Sequence, residues 1–389
     1  MWRRLAAVLA TAAVSLTLAA CGDDGDADGG SGETGTIRIG AILGISGRFA
    51  FVGEPQKQAL ELAQERINAA GGISGRKVEF VIYDDEVDET KSVPLANRLI
   101  SEDKVVAIIG PSITVPALAI QPIVERAKMP NLTLTSKAIW EGKPESYVFH
   151  TTPREEVEVK SVLDFVKDQL KVTKVGVVYD RQPYGTGNLA YIKRFASEYG
   201  LQIVAEEGIE NNDTNADAQV QRVRAAGAEA VVVWVGDPAA SSVAKAVHQS
   251  GWTVPMIASS AIAGPRFAEL AGPAAEGAYS DSTYNTAEPP PVQKDFLDAF
   301  KAKYNSAPTQ FAAFAYDSAY ALKGAIEAAG GKTDGESIRK GLIDMPALDG
   351  VVATYDFAAD NHNGIPNGPL FYIVQIKNGA FQVVFDTRK

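Results

Sequence analysis

Ile37-Arg38-Ile39-Gly40-Ala41-Ile42 is a short apolar run, and its alternation with helical segments downstream decides the fold. An amphipathic helical pattern near residues 56–70 leads to a second run at 78–83 (VEFVIY), another helical pattern near 92–102, and a third run at 105–109 (VVAII). Continuous apolar strands spaced by helices indicate a parallel sheet covered on both faces. The rhythm recurs with strands at 175–179, 202–206 and 230–235 and helices near 188–199, 216–226 and 239–250. The expected fold class is therefore α/β with two doubly wound parallel-sheet units, the break falling near His150-Thr151-Thr152-Pro153.

Further on the pattern changes. Three consecutive prolines, Pro289 to Pro291, lead into long helices near 292–304 and 310–329 that look displaced from the second unit. Strands return at 351–357 and 372–385, the latter broken at Lys377-Asn378-Gly379, an Asn-Gly hairpin signal that predicts antiparallel pairing.

The N-terminus is an address. Arg3 and Arg4 precede an apolar run over 5–16 and the small residues Leu18-Ala19-Ala20 before Cys21, the only cysteine. These are the parts of a secretory signal over residues 1–20, too short for a membrane span of about 20 apolar residues. Leu18-Ala19-Ala20-Cys21 resembles the bacterial lipobox, which implies a diacylglycerol on the Cys21 sulfur and an extracytoplasmic protein anchored to the cell membrane. Residues 21–36, acidic and glycine-rich, read as a flexible linker. Asp24, Asp26 and Asp28 begin a calcium-loop pattern, but its twelfth position is Gly35 where a bidentate glutamate is needed, so no metal is expected. Loss of Arg3 and Arg4 with the signal takes the net charge from −11 to −13. No basic stripe marks a nucleic-acid partner. The remaining chain of about 350 residues exceeds what one core organises, so two domains are expected.

Six motifs in order carry a family resemblance: Gly40-Ala41-Ile42-Leu43-Gly44-Ile45-Ser46-Gly47, the stretch from Ile67 to Gly75 (INAAGGISG), Tyr83-Asp84-Asp85, Ile109-Gly110-Pro111-Ser112, Tyr184-Gly185-Thr186-Gly187 and Phe314-Ala315-Tyr316-Asp317. With the lipobox they make the chain similar to the solute-binding lipoproteins of bacterial ABC importers, of the branched-chain amino acid (Leu/Ile/Val) receptor type. The resemblance implies a type I periplasmic-binding fold: two α/β lobes, joined by three crossings, that close over a small-molecule ligand. It places 37–151 with 284–350 in lobe 1 and 152–283 with 351–389 in lobe 2. It also implies an ABC permease and ATPase as partners; no cofactor is expected, and the chain is expected to be a monomer.

Ligands of open α/β sheets bind beyond the carboxyl ends of strands. The strand at 105–109 ends at Gly110-Pro111-Ser112-Ile113-Thr114, where Pro116 opens a helix. Ser112 and Thr114 either cap that helix or, with its free N–H groups, meet a carboxylate; both uses share one geometry. The next strand, 129–134, delivers Thr135 and Ser136. In the resembled family, positions equivalent to Thr114 and Thr135 contact the ligand's backbone groups. Lys137 stands where relatives carry a small hydroxyl residue; it salt-bridges a second carboxylate or, as charged side chains mostly do, points outward.

From the second lobe come Tyr184, Asp237 and Ser259-Ser260, and Tyr184 matches the family's Tyr-Gly motif, whose ring covers the ligand. The resemblance implies an acid for the ligand's ammonium where Ser260 falls. Asp237 is the candidate replacement, against an Asp-Pro turn former. Without it an uncharged or anionic ligand, such as an aromatic or aliphatic carboxylate, becomes the better fit. Phe51 and Val52 are candidates for the apolar side of the pocket.

No catalytic constellation emerges. His150, His248 and His362 are the only histidines, and no metal-ligand spacing or Gly-x-Ser-x-Gly occurs. Gly185-Thr186-Gly187-Asn188-Leu189-Ala190 fits a dinucleotide fingerprint in letters but lies several residues past its strand, which reads as a turn and helix start. Three functions stay open: importer receptor, ligand sensor for a signalling protein, and secreted hydrolase, for which nothing in the sequence asks.

Overall fold

A computed structural model describes residues 35–136, 144–285, 288–358, 362–365 and 370–388; Cys21 and Lys137 lie outside them. The first lobe starts with β1 (Ile37–Leu43), α1 (Ala50–Ala69), β2 (Val78–Asp84), α2 (Glu89–Ser101), β3 (Ile108–Ile109), α3 (Thr114–Ala127), β4 (Asn131–Thr133) and β5 (Val148–His150). The strands form one all-parallel sheet in the order β2-β1-β3-β4-β5. Along β1 the side chains alternate with the strand period of two. Ile37, Ile39, Ala41 and Leu43 enter the core beneath α1, while Ile42 enters the opposite core with Leu99 of α2 and Ile120 of α3.

The chain then builds the second lobe through α4 (Glu155–Phe165), β6 (Lys174–Asp180), α5 (Pro183–Tyr199), β7 (Gln202–Ile209), α6 (Asp217–Ala225), β8 (Ala230–Trp234), α7 (Ala239–Gln249), β9 (Met256–Ala258), α8 (Pro265–Ala271) and β10 (Tyr279–Ser282). It returns to the first core with α9 (Pro291–Tyr304), α10 (Gln310–Ala328), α11 (Gly335–Asp344) and the small antiparallel pair β11 (Leu348–Asp349) and β12 (Thr354–Tyr355). β13 (Tyr372–Lys377) and β14 (Ala380–Asp386) complete a seven-stranded second sheet, β14-β13-β10-β9-β8-β6-β7. The expected hairpin is present, with Asn378 and Gly379 at φ 54° and 75°, the left-handed pair that a two-residue turn requires.

Several boundaries move. α1 begins at Ala50 rather than 56, where Gly53 lets the helix close on β1: a Cβ there would meet the Gly44 carbonyl oxygen at 2.1 Å. α5 begins at Pro183, so Tyr184-Gly185-Thr186-Gly187 is the first turn of a helix and not a turn ahead of it. The run 105–109 keeps only two paired residues, and α4 answers to no expected element. The third passage also shifts. Val351, Val352, Tyr355, Phe357 and Ile365 are buried in the first core, so the chain leaves that lobe after Ile365, not at 350.

The passages are tied to one another. Asp317 on α10 accepts from the backbone N–H groups of Val351 (2.8 Å) and Val352 (2.9 Å). The Tyr355 hydroxyl bridges Asp317 Oδ2 (2.9 Å) and the carbonyl of Thr151 in the first passage (3.0 Å). Burial pushes the Asp317 carboxyl up to about 7, against the pull of those donors. An acid whose folded value is raised binds its proton more tightly when folded. Its contribution to stability is thus greatest below the unfolded value and falls as pH rises through the window to about 7. Thermal unfolding of Asp317→Ala should show a loss of about 3 kcal/mol from the stranded donors. The difference between wild-type and variant stability should shrink from about pH 4 to about pH 7, and a gap that is flat over this range would contradict the assignment.

Candidate functional site

The carboxyl ends of both sheets face a cavity of about 290 Å³ between the lobes, near the small end of ligand pockets. Ser112, Thr114, Thr135, Ser136, Tyr184, Ser260 and Phe51 all line it. Asp237 does not; its neighbour Gly236 does. The Asp237 carboxylate turns back on α7, accepting from the Ser241 backbone N–H (3.1 Å) and hydroxyl, so the turn-forming role wins and this acid supplies no charge to the cavity. His150, His248 and His362 also lie off the cavity lining.

The first-lobe wall is a donor surface. Ile113, not Ser112 or Thr114, holds the cap position of α3, and no side chain caps the helix. The Ser112 hydroxyl is committed elsewhere, donating to Gln56 Oε1 (2.5 Å) and accepting from the Gly44 N–H (3.1 Å). The first-turn N–H groups have no acceptor within the helix, and Thr114 and Val115 line the cavity. Thr114 and Thr135 share a hydroxyl hydrogen bond of 2.8 Å. The Thr135 carbonyl is held by His150 Nδ1 (3.0 Å) and the Thr152 hydroxyl (2.7 Å), which fixes its hydroxyl against α3. An uncapped helix N-terminus with hydroxyls alongside is an anion site that needs no cationic side chain; Arg48, over the Phe49 ring at 4.8 Å, also lines the cavity from this lobe.

Opposite lies an acid that sequence reasoning missed. Glu158 on α4 is buried and lines the cavity, and its Oε1 accepts from the Ser260 backbone N–H (3.1 Å) and hydroxyl (2.7 Å). Ser260 therefore does not stand in for an acid but positions one. Burial raises the Glu158 carboxyl above its ordinary value, while the two Ser260 donors pull it down. The signal was present: Glu155 and Glu158 fall on the same stripe as Val159, Val162, Leu163 and Val166, so two acids occupy the apolar face of a helix. Tyr184 stands in the first turn of α5, where Gly185 allows contact with β6; a Cβ there would meet the Asp180 carbonyl at 2.2 Å. Burial, then the nearby Glu158, hold the Tyr184 hydroxyl well above its ordinary value, so it remains a neutral donor.

Aromatic rings fill the rest. Phe51 packs edge-on to Phe311 at 6.4 Å and tilted to Phe49 at 6.2 Å, and Phe314 and Phe371 also line the cavity. A hydrogen bond at the cavity spans the lobes: Gln310 Nε2 at the start of α10 donates to the Ser260 carbonyl (2.9 Å), while its Oε1 accepts from Thr283 in the second passage. Among the described residues no cluster could hold a metal ion.

Two lobes around a dipolar, aromatic-lined cavity define a binding protein for a small solute. The sequence profile described as periplasmic binding protein matches residues 36–380, and the chain belongs to that family, with the type I fold of its branched-chain amino acid receptors. It is 26% identical over 341 residues to Leu/Ile/Val-binding protein homolog 3 of Brucella melitensis, covering 86% of this chain and 90% of the relative. It is also 26% identical over 315 residues to a leucine-, isoleucine-, valine-, threonine- and alanine-binding protein of Pseudomonas aeruginosa, covering 79% and 82%. Among solved structures, the branched-chain amino acid transporter substrate binding protein of Streptococcus pneumoniae in complex with isoleucine superposes with a TM-score of 0.81 at 28% identity, over 90% of this chain and 99% of that one.

Removing the Ser260 hydroxyl takes a donor from the charged form of Glu158. Ser260→Ala should move the Glu158 titration further upward, read by carboxyl carbon NMR; an unchanged titration would show that this hydrogen bond does not act on the acid.

Proposed function

We propose that this chain captures an α-amino acid with an apolar side chain, branched-chain amino acids first, outside the cytoplasm and presents it to an ABC permease and ATPase. The observation that carries the reading is the opposed polarity of the two walls. The ligand carboxylate lies at the uncapped N-terminus of α3 with the Thr114 and Thr135 hydroxyls. Its ammonium lies at Glu158, with Tyr184 as a cover and the Phe51, Phe311 and Phe314 side chains around the apolar group. The relatives are named for binding, not for catalysis, and the cavity offers no nucleophile with base and orienting group.

Capture works by population shift. A ligand that touches both walls gains its full contacts only when the lobes are closed, and it stabilises that state by the difference. The Gln310 to Ser260 hydrogen bond joins the two walls and also steadies the serine that holds Glu158. A diacylglycerol on Cys21 and a flexible linker would keep the lobes near the membrane while leaving them free to turn.

Thermal shift with a panel of amino acids and their deaminated analogues tests the reading. Leucine, isoleucine or valine should raise the midpoint and 4-methylpentanoate should not; stabilisation by the carboxylates alone would replace the amino-acid reading with a carboxylate receptor. Glu158→Gln should weaken amino-acid binding by about 2–3 kcal/mol, roughly 30- to 150-fold, by calorimetry, with little change in unfolding midpoint. Cys21→Ser should move the protein from the membrane to the soluble fraction.

A further inference from the structure

A second acid stands behind Glu158. Asp281 lies on β10, an interior strand between β9 and β13, and is wholly shielded from solvent. Neither of its carboxylate oxygens makes a full hydrogen bond; the backbone N–H groups of Ser260 and of Asp281 itself lie near and offset its burial only in part. A charged carboxylate in such a place costs several kcal/mol, whereas the neutral acid costs far less but brings a proton that needs an acceptor. That acceptor is at hand. The Asp281 and Glu158 carboxyls lie within hydrogen-bonding reach, and two carboxylates have no donor between them until one holds a proton.

Among the described residues no cation acts on either carboxyl. From β9 and its turn come the Ser259 and Ser260 hydroxyls, and Ser260 already gives both its donors to Glu158 Oε1. β13 places Ile373 opposite Asp281. Tyr184 from α5 faces both carboxyls, with Glu155 of α4 also near that tyrosine, and neither brings positive charge. α10 contributes the neutral Gln310 through Ser260. Several cations of the lobe are paired elsewhere: Arg181 with Glu210, Lys193 with Glu206, Arg194 with Glu156 and Arg222 with Glu207.

We propose that Asp281 is held as the neutral acid and donates its proton to Glu158, so that two carboxyls with one proton and one negative charge form the cation subsite of the cavity. Asp281 is then a positioning residue. With the Ser260 N–H and hydroxyl it gives Glu158 three donors, fixing the carboxylate that faces the cavity before any ligand arrives. One charge calls for one cation: a ligand ammonium neutralises the pair, while an anionic analogue meets an uncompensated carboxylate. The role of the pair in recognition rests on the amino-acid reading above; its single proton does not.

Infrared spectroscopy of the ligand-free mature protein tests the proton directly. At about pH 9 Asp180 and Asp317, with values of about 6 and about 7, are ionised, so a protonated-carboxyl band that remains in wild type and is missing from Asp281→Asn identifies the shared proton. Absence of the band from wild type overturns the proposal whether or not the variant folds. Calorimetry with L-leucine tests the positioning role. Asp281→Asn, which keeps a donor to Glu158, should bind within about threefold of wild type, and Asp281→Leu should lose about tenfold or more. Equal losses in both would mean that the charge of Asp281 matters and would overturn the proposal. Failure of every amino acid to bind, with the infrared band present, would instead overturn the functional reading alone.

Discussion

A carboxylate in a cleft largely closed to water must be met by donors or by a cation, and Glu158 imposes that condition on everything around it. Ser260 has to turn its N–H and hydroxyl inward, which fixes the turn after β9. The Ser260 carbonyl then faces the other lobe, where Gln310 takes it up, and the same Gln310 side chain holds Thr283 in the second passage. One acid thus links the bottom of the cavity to the second passage between the lobes. Its partner wall needs no matching cation, because the amide dipoles of α3 carry fractional positive charge without the desolvation cost of a buried lysine or arginine.

The joint itself is held by buried polar contacts rather than by packing alone. Asp317 gathers two N–H groups of the segment before β12, Tyr355 carries that cluster to the first passage, and the Thr151 hydroxyl meets Ser318 at 2.6 Å. Such contacts are directional: they tolerate small rotations about a hydrogen bond but not the sliding of one segment along another.

Much of this was legible in the sequence because the interior strands of both sheets are buried on two faces and so read as unbroken apolar runs: 37–42, 175–179 and 230–235 are nearly the observed strands. The Asn378-Gly379 turn was legible because its backbone demands those residues. Glu158 was not, because an acid is ordinarily assigned to the solvent face of a helix, and only its register with Val159, Val162 and Val166 gives it away. Asp237 misled for a local reason: Asp-Pro chemistry predicts a turn but not whether the carboxylate looks outward to a ligand or back along α7. The third passage misled because Val351, Val352 and Tyr355 would fit the core of either lobe, and nothing in their order says which sheet they meet.

Neither lobe is a contiguous piece of chain, and this bears on how the molecule is made. The first core needs Phe296, Phe300 and the α10 side chains from beyond residue 290, and Ile365 from later still. The second sheet waits for β13, and until its residues exist β10 is an open edge. A chain emerging from its N-terminus cannot finish one lobe and then begin the other, as contiguous domains do. Both halves stay incomplete until the C-terminal hairpin is available, so β10 keeps an unpaired edge until β13 arrives to cover it.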